Sequence, residues 1–466
     1  MRTLSEIGKN YFCVILQQKF SDLQFCCVAV FLLLISLNSI STEKMDEKAL
    51  TSSIAQFSAR FCNELDKSKS VVSSPLSAEF VLALLTLGTT DPAHGELLTS
   101  LGIPDDESIR SSFSVMSGKL KSIKGVTLNV ANKVYIKEGG YDLESKLKED
   151  AVKIFDAAFE KINFDDGAAA ANIINKWVES KTNEKIKDLL SGDSLNSDSR
   201  LVLVNALYFK GTWKKQFDIA NTMDQPFHVD EEKTIMVPMM YKEDDYTYGE
   251  SQELGAQLLK MHYVGEQASM LIVLPNEING LNSVLKKLAD GYDLLGEVDK
   301  MFNTKVQVTI PKFKIETEID LADLLPKLGI KAIFDRNNSG LTKIMNSKEN
   351  LYVSKAVQKA FIEVNEEGAE AAAATGMVMM LRCARPPSPQ FRADHPFLYM
   401  LVDSQNNTLF EELSDVYVYI TAMGIMFCSA IINAPPVPRF VADRPFLSII
   451  LANGTPHFMA VHRGDC

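Results

Sequence analysis

Two tryptophans and six histidines make these the scarce side chains of the 466 residues, and no His-x-x-x-His pair occurs. No Cys-x-x-Cys, His-Glu-x-x-His, Gly-x-Ser-x-Gly or phosphate-cradling glycine loop occurs, which removes zinc sites, the common hydrolases and nucleotide enzymes from consideration. The seven cysteines form no framework: Cys13, Cys26 and Cys27 lie in the N-terminal 42 residues, and Cys62, Cys383, Cys428 and Cys466 are scattered. Positive charge is in deficit, 48 Lys and Arg against 60 Asp and Glu. A net charge of −12 does not suit a nucleic-acid surface. The local basic spot Lys119, Lys121, Lys124 reads as a solvated face rather than a polyanion contact. No metal, no cofactor, no nucleic acid and no membrane partner is expected.

No apolar run is long enough to span a bilayer. The longest, Phe25 to Leu37, has thirteen residues and is followed by small polar residues, Asn38 to Thr42. With Arg2, Lys9 and Lys19 before it, the pattern reads as a signal peptide over residues 1–42. Secretion to the extracellular space is therefore expected; initiation at Met45 would instead give an intracellular form. A secreted chain would offer the sequons at Asn337, Asn406 and Asn453 for glycosylation.

What is present is a 46% hydrophobic chain with both charge signs interspersed, enough for one large core. Leu50, Ile54, Phe57, Phe61 and Leu65 predict an amphipathic helix, and Phe80 to Leu87 a helix buried all round. Val126, Leu128 and Val130 alternate as a half-buried strand, whereas Leu201 to Phe209 is an apolar run covered on both faces. Asn205 in its middle must find hydrogen-bond partners and reads as a structural hub rather than a catalytic group. Further strands are predicted over Ser269–Leu274, Val306–Ile310 and a long Asn350–Val364, and a helix over Asp320–Ile330 that breaks at Pro326. Helices and strands mix without a βαβ repeat, so the class is α+β.

The long strand runs into Glu366-Glu367-Gly368-Ala369-Glu370-Ala371-Ala372-Ala373-Ala374-Thr375. Propensity alone favours a short exposed helix there. The absence of bulky side chains and of proline from Gly368 to Thr375 also suits a segment that slides between existing strands.

Ser74-Pro75-Leu76-Ser77, Asn205-Ala206-Leu207-Tyr208-Phe209-Lys210-Gly211-Thr212-Trp213, Phe227-His228-Val229, Val237-Pro238-Met239-Met240, Leu274-Pro275, Ile310-Pro311-Lys312-Phe313, Leu328-Gly329-Ile330 and Ser354-Lys355-Ala356 occur in that order before the alanine-rich stretch. As an ordered set over about Asp46 to Phe410, they resemble the serpins, the serine protease inhibitor superfamily. The resemblance implies a monomeric, three-sheet, roughly nine-helix fold over residues 43–410, trapped in a metastable native state. It also implies an exposed reactive loop that inserts as a new strand once a protease has cleaved it. Glu366 to Thr375 would be the hinge, Ser74, Ser77, Asn205 and Gln358 the shutter, and Trp213 the breach. Many members carry histidine where this chain has Gln358, so a histidine-type pH response is not carried over.

Counting fourteen residues from Gly368, as the family does, places the scissile bond at Arg382-Cys383. Arginine there implies a trypsin-like target with a carboxylate in its specificity pocket. The thirteen residues Pro386–Leu398 recur as Pro435–Leu447 at a constant offset of 49 residues. Residues 411–421 then read as read-through between two mutually exclusive exon products, and 422–466 as a second loop cassette. Its bond would be Ala430-Ile431, suited to an elastase- or chymotrypsin-like protease. The competing expectations are a non-inhibitory serpin (storage, carrier or chaperone) and an inactive product of a mis-joined gene model. An enzyme is not expected.

Overall fold

The computed structural model describes residues 45, 47–66, 70–122, 126–346, 350–366, 396–402, 439–441, 446–452 and 455–462. Met1–Asp46 and Glu47–Cys466 form separate units, and every element below belongs to the second. Among the described residues there are nine α-helices: α1 (Glu47–Asn63), α2 (Pro75–Thr86), α3 (Ala93–Leu101), α4 (Asp106–Ser122), α5 (Ser145–Lys153), α6 (Gly167–Lys181), α7 (Leu281–Ala289), α8 (Leu294–Val298) and α9 (Leu321–Leu324). None of the described helices is long and apolar enough to cross a membrane.

The strands are β1 (Val71–Ser73), β2 (Val126–Lys137), β3 (Ala157–Ile162), β4 (Leu201–Gly211), β5 (Met223–His228), β6 (Thr234–Ser251), β7 (Ala256–His262) and β8 (Ala268–Pro275). They continue with β9 (Phe302–Pro311), β10 (Phe313–Asp320), β11 (Val353–Val364), β12 (Phe397–Val402), β13 (Arg439–Val441), β14 (Phe446–Ala452) and β15 (Thr455–His462).

One sheet has the order β10-β11-β4-β2-β3. Its central pair, β11 and β4, is parallel and bridges distant parts of the sequence, while β10 and β2 flank that pair antiparallel. The side chains of β4 alternate between two cores. Leu207 and Phe209 pack with β6 to β9, and Val202, Val204, Ala206 and Tyr208 pack beneath α6. That is the two-sided burial its apolar run predicts.

The other sheets implied by the resemblance run into each other. The first part of the 18-residue β6 pairs with β5 and β9, and its end pairs with β7, so both are hydrogen-bonded through one strand. The strand at Val126 extends past Val130 to Lys137, with Val134 and Ile136 continuing the alternation beyond Asn132. β11 starts at Val353, three residues later than expected. The helix at Asp320 breaks where proline predicts: α9 passes into a 3-10 turn over Leu325–Leu328, closed by Gly329 at φ 97°.

The repeated cassette also reaches the fold. β12 belongs to the first copy, and β13 and β14 to the second, with β15 following. Both β12 and β14 pair with β8, β13 pairs with β9, and β15 pairs with β1 and β14.

Candidate functional site

The seam between β4 and β11 runs through nine register pairs, Val353↔Leu201 to Ile362↔Phe209. A segment that continued from β11 and turned back would run antiparallel to both strands. It would replace one parallel pairing by two antiparallel ones, each slightly more stable per residue. The pairing order therefore favours an inserted strand at this seam, and side chains hold the seam shut at three levels.

At the foot, the Ser354 hydroxyl accepts from Arg200 N at 2.8 Å, and the Tyr352 hydroxyl donates to the Asp198 carbonyl at 2.7 Å.

In the middle lies a row of amides. Gln358 is opposite Asn205, and Asn205 is opposite Asn132 on β2, so three neighbouring strands each present one. Gln358 Nε2 donates to Asn205 Oδ1 at 2.6 Å and to the Ser74 carbonyl at 2.8 Å, while its Oε1 accepts from Ser74 N at 2.9 Å. Asn205 Nδ2 donates to Ser77 Oγ at 2.5 Å and to Asn132 Oδ1. The start of α2 completes the arrangement. Ser74 caps that helix, its hydroxyl accepting from Ser77 N at 3.2 Å, and Pro75 occupies the first turn, where a missing N–H costs nothing. Every member is buried, and both amide hydrogens of Gln358 and of Asn205 are used. A satisfied network of this kind rigidifies a core, whereas a half-satisfied one is costly.

At the top, the chain leaving β4 meets the chain leaving β11. Trp213 Nε1 donates to the Asn365 carbonyl at 2.9 Å, and Phe217 N donates to the Glu366 carbonyl at 3.0 Å. The indole stacks on Tyr263 with centroids 4.4 Å apart. Gly211 makes that stack possible, because a Cβ there would stand 2.4 Å from the Tyr263 ring.

Glu366 is buried, accepting from Thr222 Oγ1 at 2.9 Å and pairing with Lys312 Nζ at 2.9 Å. Burial pushes its pKa up, but hydrogen bonds from Lys312, its own backbone and Thr222 more than offset this and hold the carboxyl below its usual range. Nearby, burial and then the charge of Lys260 push His262 down to about 4. Its Nδ1 lies 2.7 Å from Ser269 Oγ.

The structure thus brings Ser74, Ser77, Asn205 and Gln358 into one cluster and puts Trp213 and Glu366 in another. Asn132, Thr222 and Lys312 were not singled out from the sequence. Carrying the alternation of Val126, Leu128 and Val130 one step further points to Asn132. Lys312 becomes Glu366's partner only through the β10–β11 register, Phe313↔Val364. Asn337 is exposed, and Ser339 of its sequon is buried. Glu367 to Thr375, Arg382, Cys383, Ala430, Ile431, Asn406 and Asn453 lie outside the described residues.

The model of the family described as serpin (serine protease inhibitor) matches residues 52–411, ending with the first cassette. Among characterised proteins, the chain is 44% identical over 349 residues to antichymotrypsin-2 of Bombyx mori, covering 74% of this chain and 92% of that one. It is also 44% identical over 351 residues to antitrypsin of the same organism, covering 74% and 88%. The structure of Serpin48 from the insect Tenebrio molitor superposes with a TM-score of 0.71 at 28% identity, over 90% of this chain and 99% of that one. The match spans well over half of the chain and the seam has the order a strand-inserting fold requires; the chain belongs to the serpin family, a family of protease inhibitors and not of enzymes.

Proposed function

We propose that this serpin is a suicide-substrate inhibitor of trypsin-like serine proteases, cleaved at Arg382-Cys383. The observation that carries the reading is the bolted parallel seam, whose strand β11 leads directly into a hinge of small residues. Trapping needs the loop to enter the sheet before the acyl-enzyme is hydrolysed. In a strand of period two every second side chain faces the core, and Ala369, Ala371, Ala373 and Thr375 would pass through at little steric cost. Glu370 would alternate outward. Non-inhibitory relatives would be expected to place proline, charge or bulk there, and Glu370 is the one such feature in Ala369–Ala374.

The two cassettes are alternative endings of one fold, encoded by mutually exclusive exons. The constant 49-residue offset supports this. The ending with Ala430-Ile431 serves an elastase- or chymotrypsin-like protease. A peptide spanning Phe410 into residues 422–466 of the natural protein would sink the exon reading. The protein is secreted after loss of residues 1–42, and the exposed Asn337 is open to glycosylation.

The test is incubation with trypsin followed by denaturing electrophoresis. An SDS-stable adduct that disappears in Arg382→Ala is expected. Loop cleavage without an adduct would make the protein a substrate, in line with a non-inhibitory serpin or an inactive joined product.

A further inference from the structure

Both copies of the repeat pair with one strand, β8. Ile272 on β8 is opposite both Tyr399 and Ser448, Leu271 opposite Met400 and Ile449, Met270 opposite Leu401 and Ile450, and Ser269 opposite Val402 and Leu451. Each pair is separated by the same 49 residues as the sequence repeat. The other edge of β8 is paired with β7 from Ser269 to Pro275. One edge remains, and its backbone donors and acceptors serve one neighbouring strand.

We infer that β12 and β14 are alternative occupants of one slot on β8, with β14 the resting occupant. The inference rests on the reading of the two cassettes as alternative endings, and extends it to a chain that carries both.

Three observations favour β14. Its cassette also supplies β13, which pairs with β9 through Arg439↔Gln307, Phe440↔Val308 and Val441↔Thr309. β14 pairs with β15 from Phe446↔His462 to Ala452↔Thr455, whereas β12 meets β15 only at Leu398↔Val461. Only Asn453 and Gly454, a favoured hairpin pair, stand between β14 and β15 in sequence. Seating β12 ahead of β15 would replace that turn by residues 403–454, and closing a longer connection costs more entropy. β15 is needed in either state, because it pairs with β1 through Val71, Val72 and Ser73, next to the shutter residue Ser74.

The occupant sets where the reactive loop is anchored. With β12 seated, the loop from β11 ends at residue 396; with β13 and β14 seated, it ends at residue 438. Arg382 stands the same eighteen residues beyond Val364 in both states, so trapping there is open to both. Ala430 stands 66 residues beyond Val364. An acyl-enzyme formed there would hang on a tether far longer than the inserted strand and escape distortion. In the tandem chain that bond is a cleavage site, not a trap.

Cross-linking of the full chain tests this. Ile272→Cys is combined with Ser448→Cys in one protein and with Tyr399→Cys in another, both are oxidised, and the linked peptides are mapped by mass spectrometry. The Ser448 protein is expected to link at least ten-fold more than the Tyr399 protein. Adding Ile450→Pro, which removes a ladder donor from β14, should reverse that ratio. Equal linking, preferential linking through Tyr399 in the parent chain, or no shift with Ile450→Pro overturns the inference. If Ile450→Pro does not fold, the ratio in the two parent proteins still decides. Trypsin adducts are scored on the same samples. Loss of adduct with the expected linking pattern rejects the inhibitor reading alone, and retained adduct with the wrong pattern rejects the slot assignment alone.

Discussion

The shutter and the breach close the same seam by opposite chemistry. Across the middle, Gln358, Asn205 and Asn132 form a neutral, buried, hydrogen-bonded row, and no member titrates. Across the top, Glu366 is held by Lys312, whose side chain is 46% exposed, and His262 sits beside the Trp213–Tyr263 stack. A neutral buried network is indifferent to salt and acid but costly to leave half-made. A charged, partly solvated one is cheap to loosen and responds to both. The proposed inhibitor, whose sheet must open to admit the loop, would gain from the combination: the centre fixes the native register, and the top is the weaker closure.

The comparison breaks first at Asn205. Asn205→Ala would leave Gln358 Nε2 short of an acceptor and strip Ser77 and Asn132 of a donor, all in a dry site. The expected loss is about 3 kcal/mol of native-state stability, seen as a lower melting temperature and spontaneous loss of trypsin inhibition. An unchanged melt would mean that the amide row does not hold the seam.

A buried polar group without such a network is found on the same helix. Glu79 on α2 is fully buried, and neither carboxylate oxygen has a hydrogen-bond partner. Burial pushes its pKa well up, against a smaller opposing pull from Arg60. A folded-state pKa above the unfolded one means that the unfolded chain ionises first as pH rises. Stability is therefore lost as pH climbs from the ordinary carboxylate value. Glu79→Leu should stabilise the native state by about 2 kcal/mol at neutral pH and flatten that slope; a destabilised variant would show an unseen role for the carboxylate.

At the breach, Glu366→Gln keeps the shape and removes the charge. The expected loss is about 1 kcal/mol, since Lys312 is nearly half exposed and its charge is partly screened, together with faster spontaneous loop insertion. The parent's advantage should shrink in high salt; an effect as large as that of Asn205→Ala would erase the distinction between the two closures.

Much of this was legible in the sequence because the local patterns are strong. The two-sided burial of β4 followed from a nearly continuous apolar run, and an asparagine inside such a run had to be bonded. The shutter's third amide went unnoticed because Asn132 interrupts the apolar alternation of β2, which resumes at Val134 and Ile136. β6 is hard to see for a different reason. Its stretch Lys242 to Asp245 is an unbroken charged run, Lys-Glu-Asp-Asp, of strand-poor residues, and its extension there comes with the pairing to β9. The Lys312–Glu366 pair is a long-range register fact, invisible to any local window. The shared slot on β8 was half legible: the repeat is plain in sequence, but only the pairing of β8 makes it a competition.

The smallest effect at neutral pH, and the sharpest test of the contrast, lies in the response to acid. His262 has a pKa of about 4 against an ordinary value of 6.5, with burial the main cause and Lys260, Lys214 and Lys215 opposing protonation more than Glu266 favours it. A depressed histidine is protonated first in the unfolded chain, so the stability it permits is lost as pH falls from about 6.5 towards 4. Glu366 acts in the same direction but lower, because a depressed carboxyl contributes above its unfolded value of 4.5 and fails as pH falls through its folded one. The breach should therefore weaken in two steps and the shutter in none. His262→Asn, which keeps a polar group facing Ser269, should remove the upper step of a melting-temperature profile taken from about pH 7 to about pH 2, and Glu366→Gln only the lower one. If the upper step persists in His262→Asn, the acid response of this serpin does not begin at its breach.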